Sequence, residues 1–398
     1  MAAQTEFKKG NASFRLVGML RVNDRSFSLN KKSSSGFISN QAYIGVDCGE
    51  GNVVHARMFD GYIEGKQKSI YVHGKKYDEN YKRDVDNYSD SFQISWDDRF
   101  SPRLLDKVGP SCFTTVGLEK TINAEKKEEI DEMKFLSQYD AIQYINDVLY
   151  KIKAEDRNNL VVDVRGSIQY NFYEGKVTPQ KTITSIKLSN APKEKFSSKF
   201  IQTCYINKDN IGEFDPVSNT QLITARVPEY ISKVDGIEVK RTVPLRQSMH
   251  LDLSIGAMKT LLKWFKSEDQ YGRYVLIGKF SDIGSTETVD LSNYSDDVRE
   301  LLKSGDWDEE ESNPTVSNNN SASEDMIITN IKTANVDDNG IQRKVVVREP
   351  NIYTVPELEG IYTDFINVIN PPETDEMPFE SDDDSDDDWM AAFDSVED

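Results

Sequence analysis

Two windows of the sequence combine cationic and aromatic side chains, as the binding of a nucleic-acid single strand requires. Such binding needs cations along the path of the phosphates and aromatic rings on which bases stack. The two windows are the most basic parts of an otherwise acidic chain. The candidate nucleic-acid-binding residues in them are Lys66, Lys68, Tyr71, Lys75, Lys76, Tyr77, Tyr81, Lys82, Arg83, Arg165, Tyr170, Phe172, Tyr173, Lys176, Lys181 and Lys187. The competing interpretation is structural: tyrosines pack the sheets, and lysines protect edge strands from aggregation.

Signatures of catalysis are missing from the sequence. It contains no GxSxG, GxxxxGK[ST], HExxH or dinucleotide-binding fingerprint. Its three histidines and three cysteines form no CxxC or HxxxH pair, which argues against a zinc site. We therefore expect a protein that is not an enzyme and that holds no metal and no cofactor.

The negative charge is concentrated in two segments. The net charge is −20, but residues 373–398 hold 13 acids and no base, and Asp306–Glu311 holds five acids. The rest of the chain is nearly neutral, so its net charge does not prevent it from binding a polyanion. The acidic tail also contains Trp389 and Phe393, which we interpret as partner-binding residues in an accessible docking peptide. The alternative is a solvated end that only keeps the protein soluble.

The chain carries no signal for a membrane or for secretion. No apolar stretch approaches the ~20 residues that span a bilayer, and Met1–Gly10 has no apolar core. The three cysteines lie far apart, which fits a reducing compartment. We expect a cytoplasmic protein with no membrane partner.

Most of the body has the alternating pattern of β-strands. One helix is predicted over Ser137–Lys153 from its apolar spacing. A pattern of apolar residues around a central glycine occurs at Leu16–Leu20, Val164–Ile168 and Leu276–Phe280, which hints at an internal repeat. A first strand bent at a glycine, a hairpin, a late helix and further strands are the components of a five-stranded OB barrel. The predicted fold is therefore mostly β with minor α, with two OB-like barrels, a hairpin-containing C-terminal extension and a disordered acidic tail.

The sequence resembles the OB-fold single-stranded DNA-binding proteins of replication, particularly those of phages. The resemblance rests on the glycine-centred strands Phe14–Leu20 and Asp163–Ile168 and on the acidic, aromatic tail Asp382–Asp398. It implies binding of single-stranded DNA without sequence specificity, in replication or recombination. It also implies that the tail recruits replication proteins such as a polymerase, helicase or primase, in the host cytoplasm if the protein is phage-encoded. One departure is that five residues follow Phe393, whereas the tails of that family usually stop close to a terminal Phe.

An alternative function is a non-enzymatic interaction or structural protein, of a virion or a transcription complex, whose tail is a docking peptide. The predicted organisation is the same for both functions. It consists of an OB-like domain over residues 1–155, a second over 156–305, an acidic and polar linker over 306–325, a β-hairpin extension over 326–372 and the tail over 373–398.

Overall fold

A computed structural model describes residues 7, 9–66, 68–122, 128–173, 175–281, 325–338 and 341–370. The predicted linker and tail, including Trp389 and Phe393, lie almost wholly outside these residues. The strands are β1 (Ala12–Arg21), β2 (Phe27–Lys32), β3 (Phe37–Asp47), β4 (Val53–Ile63), β5 (Ser69–Asp78), β6 (Arg83–Ser95), β7 (Thr114–Ile122), β8 (Glu128–Phe135), β9 (Val161–Tyr173), β10 (Lys176–Leu188), β11 (Ser197–Ile206), β12 (Ile211–Asp215), β13 (Thr220–Val234), β14 (Ile237–Asp252), β15 (Tyr271–Ser281), β16 (Asp325–Ile331), β17 (Thr333–Asp338), β18 (Ile341–Val346) and β19 (Arg348–Tyr353). The helices are α1 (Pro102–Leu105), α2 (Gln138–Lys151), α3 (Ala154–Arg157), α4 (Gly256–Ser267) and α5 (Val355–Ile369).

Five strands close the first barrel. β1 pairs antiparallel with both β3 and β9, β3 pairs with β4, and β9 pairs with β10. The ring closes where β10 runs parallel to β4, at the pair Thr182–Arg57. Helix α2 lies between the third and fourth strands and buries Ile142, Ile145 and Leu149. The Ser137 side chain caps it by accepting from the Tyr139 amide, which confirms the predicted helix.

The second barrel repeats this connectivity. Its first strand is β11, which pairs with β13 and β15, and β13 pairs with β14. β16 pairs antiparallel with β15 and parallel with β14, which closes the ring. Helix α4 again lies between the third and fourth strands and buries Met258, Leu261 and Phe265. Two closed five-stranded rings, each with a helix at the same place, confirm the predicted mostly β fold with two OB-like barrels.

The barrels divide the chain at a different place from the predicted domains. β9 and β10 follow residue 155, yet they are the fourth and fifth strands of the first barrel. Likewise, β16 lies in the predicted hairpin extension but completes the second barrel. The segment between β4 and α2 is an insertion that holds the separate β5–β6 sheet and the β7–β8 hairpin. A sequence pattern that marks strands does not show which distant strand each one pairs with.

One sheet runs through both barrels because their first strands pair. Ala12–Val17 of β1 lies antiparallel to Ser197–Gln202 of β11, with Phe14 directly opposite Phe200. Both phenylalanines are buried, and the cores of the two barrels form one contiguous apolar cluster. The barrels therefore share a β-sheet and a core.

A glycine on the fourth strand faces each of these phenylalanines. Gly166 is opposite Phe14, and Gly278 is opposite Phe200. A Cβ on Gly166 would lie 1.9 Å from the Thr182 carbonyl oxygen and 2.7 Å from the Phe14 ring. On Gly278 it would lie 2.1 Å from the Ile327 carbonyl oxygen and 2.3 Å from the Phe200 ring. Two of the three predicted repeat motifs thus occupy equivalent positions, whereas Gly18 lies on a first strand.

We predict that Gly166→Ala destabilises the protein by at least about 1–3 kcal/mol, because the new methyl group would overlap backbone that cannot move independently. Gly256→Ala is the matched control, since a Cβ there meets no atom within 4 Å. Urea unfolding of the two variants measures the difference. Equal stability of both variants would contradict the close packing of β9 against β1 and β10.

Candidate nucleic-acid interface

The outer face of β3 and β4 presents aromatic and cationic side chains together. Ala42, Ile44 and Val46 point into the barrel and are fully buried, so the alternate residues of β3 point outwards. Strand register places Tyr43 opposite Arg57. Tyr43 and Phe59 are each 46% exposed, so both rings are accessible from solvent.

Two ring pairs shape this face. The rings of Tyr43 and His55 stack with centroids 5.0 Å apart and planes 9° from parallel. The rings of Phe37 and Phe59 lie 6.1 Å apart and are tilted by 37°. An exposed aromatic ring gives a nucleobase a flat partner, and such stacking tolerates any base because every base has a π-face.

Arg57 supplies the cation at the centre of this face. Its Nε atom is buried and has no hydrogen-bond partner in the described part of the chain. Burial lowers the pKa of Arg57, but an arginine remains charged near neutral pH. A buried guanidinium nitrogen without a partner is costly unless an anion satisfies it. Because the Arg57 side chain as a whole is half-buried, a shift of its guanidinium towards solvent would let it pair with a phosphate or a carboxylate of a ligand.

A cavity of about 410 Å³ opens beside the stacked rings. Its walls include Arg21, Arg25, Tyr43, His55 and Asn158. The Arg21 guanidinium is held by the Asp47 carboxylate at 2.7 Å and by the Asn158 carbonyl at 3.0 Å. The volume falls within the range of ligand pockets, and the walls combine rings with hydrogen-bond donors. We call the outer face of β3 and β4 together with this cavity the first-barrel face.

Sequence reasoning assigned no ligand to the β3–β4 hairpin. The signal was present, because Tyr43, His55, Arg57 and Phe59 occupy the alternate positions that a half-buried strand turns to solvent. A search for windows of high positive charge passes over a site in which a few cations are set among aromatic rings.

The first of the two predicted windows, from Lys66 to Arg83, lies on the β5–β6 hairpin and the turn before it. Tyr71, Tyr77 and Tyr81 are exposed, as are Lys66, Lys76, Lys82 and Arg83. Lys68 is bound to Asp60 at 2.7 Å, and Lys75 contacts Asp84 at 3.0 Å and Asp106 at 3.4 Å. Acids alternate with bases along this hairpin, so it offers exposed rings without a continuous positive path.

The residues of the second predicted window, from Arg165 to Lys187, are divided between the surface and the core. The prediction for Tyr170 is corrected, because this ring is 2% exposed and its hydroxyl donates to Gln202 Oε1 at 2.8 Å. Lys181 is corrected for the same reason, being 8% exposed with its ammonium 4.6 Å from the Phe280 ring centre. Phe172 packs against Phe365 of α5 at 5.1 Å. Exposed residues of this window are Arg165, Tyr173 and Lys176, whereas Lys187 is half-buried and bound to Glu132 at 2.7 Å.

The second barrel lacks the corresponding side chains. When β1 is aligned with β11 so that Phe14 matches Phe200, Met19 matches Tyr205. Met19 pairs with Asp47 of β3, and Tyr205 pairs with Arg226 of β13. This alignment makes Leu222 the counterpart of Tyr43 and His250 the counterpart of Arg57. The two faces therefore share a backbone but not a chemistry.

Helix α5 covers part of the second barrel's outer face. The Glu359 carboxylate accepts from Arg226 Nε at 2.9 Å and from the Tyr271 hydroxyl at 2.6 Å, and it lies 3.5 Å from Arg246 Nη2. Both arginines also lie over the Tyr362 ring, at 4.7 and 4.9 Å. Sequence reasoning missed this helix, although Thr354 and Glu357 form a capping box at its start.

The described ranges contain neither a candidate metal cluster nor a membrane-spanning helix. No three histidine, cysteine, aspartate or glutamate side chains there are grouped so that they could hold a metal ion. No helix there has the length and apolar character needed to cross a membrane.

Comparison with known proteins gives only distant similarities. No protein-family model matches the chain, and no curated protein matches it. Among solved structures, the wild-type single-stranded DNA-binding protein from Thermus aquaticus is 9% identical, with a TM-score of 0.30 over 69% of this chain and 86% of that chain. A deletion mutant of the same protein is also 9% identical, with a TM-score of 0.31 over 69% of this chain and 87% of that one. Similarity at this level carries no argument about the function of this chain.

We predict that docking of α5 weakens in acid. Burial would raise the pKa of Glu359, but hydrogen bonds from Arg226 and Tyr271 outweigh burial and lower that pKa below its ordinary value. A carboxyl group whose pKa is lower in the folded state stabilises the fold above its unfolded pKa, about 4.3 for a glutamate. This contribution is lost as the pH falls through the folded value.

Glu359→Gln should therefore cost on the order of 2 kcal/mol at pH 7, because Arg226 stays buried beside a weaker acceptor. The difference from the wild type should shrink below about pH 4. Glu349→Gln is the control. Glu349 pairs with Arg273 but is more exposed than Glu359, so its replacement should change stability little. Thermal unfolding across this pH range tests the assignment, and a pH-independent difference would contradict it.

Proposed function

We propose that this protein binds single-stranded DNA without sequence preference, through the first-barrel face, in DNA replication or recombination. The observation that carries the proposal is the conjunction, on one OB face, of stacked rings, the half-buried cation of Arg57 and an open cavity walled by Arg25 and by Arg21, which Asp47 holds in place. The outer face of the second and third strands is where OB barrels bind oligonucleotides. The role is one of binding, without catalysis.

Single strands suit this face better than a duplex. In a duplex the bases stack on one another, so their faces are not available to Tyr43 or Phe59. In a single strand the bases can be spread over a sheet, and each stack with an aromatic side chain contributes about 1–3 kcal/mol. Arginines near the rings would neutralise phosphates, so affinity should fall steeply with added salt.

The acidic tail supports the rest of the proposal. Residues 373–398 carry 13 acids, and a polyanion attached to the chain acts at high effective concentration near cationic surfaces. When no DNA is bound, the tail would occupy the cationic surface, so that incoming DNA must displace it. The tail would also recruit a polymerase, helicase or primase through Trp389 and Phe393. Such a protein would work in the cytoplasm, which is the host cytoplasm if the chain is phage-encoded.

A second candidate function is a protein-interaction or structural role. The β5–β6 hairpin favours it, because Tyr71 is 77% exposed and Tyr88 is 68% exposed. Tyrosine is enriched at protein interfaces. In this case the body would show no affinity for oligonucleotides, and the hairpin would be the contact surface.

We predict that Tyr43→Ala lowers the affinity for oligo-dT by about 5- to 150-fold, the equivalent of one lost base stack. Tyr230→Ala is the matched control, since Tyr230 is 52% exposed on the second barrel and should leave affinity unchanged. Fluorescence anisotropy of a labelled oligo-dT with the full chain measures both variants. If Tyr43→Ala binds like the wild type, the first-barrel face is not the contact surface.

Shortening the chain to residues 1–372 should raise the affinity for oligo-dT several-fold at low salt, because the competing polyanion is removed. The shortened chain keeps every described strand and helix. The same titration at moderate salt should show a smaller gain, since salt screens the tail. An unchanged or lower affinity would refute competition by the tail.

A further inference from the structure

Four cations stand side by side across the strands that join the barrels. Arg165 of β9 is paired with Arg15 of β1. Arg15 is also paired with Lys199 of β11, and Lys199 is paired with Lys279 of β15. We call these residues the cationic row. With neighbouring strands ~4.8 Å apart, the row extends about 14 Å across the sheet.

All four side chains point to solvent on the same side of the sheet. Their neighbours Phe14, Leu16, Phe200 and Phe280 are buried in the barrels, so alternation turns the row outwards. The Arg15 and Arg165 side chains are 53% and 56% exposed, and Lys199 and Lys279 are also exposed. The row is thus open to a ligand in this structure.

The row is costly to the fold on its own. Like charges directly opposite each other on antiparallel strands are destabilising. One carboxylate, Asp163, serves both guanidiniums at 2.7 Å, and these bonds outweigh burial to lower the pKa of Asp163. Among the described residues, no carboxylate forms an ion pair with Lys199 or Lys279. Within the described residues, an acid therefore relieves one of the three adjacent like-charged pairs.

An open cavity of about 780 Å³ borders the lysine half of the row. Lys193, Lys199 and Lys279 line it, with Glu50 and Glu194 also on its wall. Its other wall is the β3–β4 turn of the first barrel, which Asn52 fixes to the second barrel by donating to the Phe280 carbonyl at 2.9 Å. The cavity thus lies at the junction of the two barrels.

Strand β1 connects the row with the first-barrel face. It carries Arg21 on the wall of the first cavity and Arg15 in the row, six residues or about 20 Å apart. The outward positions next to the row hold no aromatic ring, being serines and isoleucines on one side (Ser167, Ser13, Ile201, Ile277) and Asp163, Val17, Ser197 and Ser281 on the other. The row can neutralise phosphates, but these positions offer no ring on which a base could stack, and Phe196 lines the neighbouring cavity rather than the row.

We propose that the cationic row is a second, purely electrostatic subsite, which binds the phosphodiester backbone of the strand as it passes from the first-barrel face over the junction to the second barrel. The proposal rests on the proposed function. It assigns the second barrel a part in binding although its own face lacks rings. The row contributes affinity and salt dependence but no base readout, as backbone contacts do.

The test is the double variant Lys199→Gln/Lys279→Gln in the full chain, titrated with a short oligo-dT of roughly 8 nucleotides and a long one of roughly 30, given site sizes of 4–16 nucleotides per OB fold. Lys259→Gln/Lys263→Gln on helix α4 is the control, with the same change in charge at two exposed lysines. The row variant should lower the slope of log affinity against log salt by about 1.4 for the long oligonucleotide, from two lost phosphate contacts. Binding of the short one should be unchanged, and the unfolding temperature should stay the same or rise.

Each other outcome has a definite meaning. If the long oligonucleotide shows the wild-type salt slope on the row variant while Tyr43→Ala loses affinity, the row proposal fails and the proposed function stands. If the wild type binds neither oligonucleotide, the proposed function itself fails. If the row variant binds the long oligonucleotide more tightly, the row holds acids of the chain itself, and the proposal is overturned.

Discussion

The antiparallel pairing of β1 with β11 is the constraint on which the rest of the molecule depends. It sets Phe14 against Phe200 at the centre of one sheet, and each ring fits because a glycine, Gly166 or Gly278, stands opposite it. Interiors are packed too closely for an extra methyl group at such a position. The pairing fuses two closed barrels into one body with a shared core, and it fixes the outer surfaces of both barrels relative to each other.

The two barrels use this common frame differently. The first leaves the outer face of its second and third strands open and places Tyr43, His55 and Arg57 there. The second has Leu222 and His250 at the corresponding positions and covers its neighbouring arginines with α5 through Glu359 and Tyr362. The two barrels therefore share a frame, but the face of one carries exposed rings beside a cation and the face of the other anchors a helix. The cationic row lies between them, and in the part of the chain that the structure describes Asp163 is the acid that pairs with two of its four cations.

Much of the fold was predictable from the sequence, since it depends on local patterns. Alternation identified most strands, the apolar spacing predicted α2, and the glycine motifs indicated two barrels. The strand partners were not predictable, because the pairing of β9 with β1 joins residues about 150 positions apart, and nothing local encodes it. For the same reason the predicted boundary at residue 155 separated strands that belong together. The candidate site was missed in part because the sequence was searched for segments rich in positive charge. Such a search does not show which side chains point inwards, as Tyr170 and Lys181 do.

The most direct test of the account is photocrosslinking of a 4-thiothymidine oligonucleotide to the full chain, followed by peptide mapping. The account predicts adducts on the first-barrel face, at Tyr43, His55 or Phe59, and their loss on competition with unlabelled oligo-dT. Adducts confined to Tyr71, Tyr77 and Tyr81 of the β5–β6 hairpin, or the absence of any adduct, would contradict the central claim.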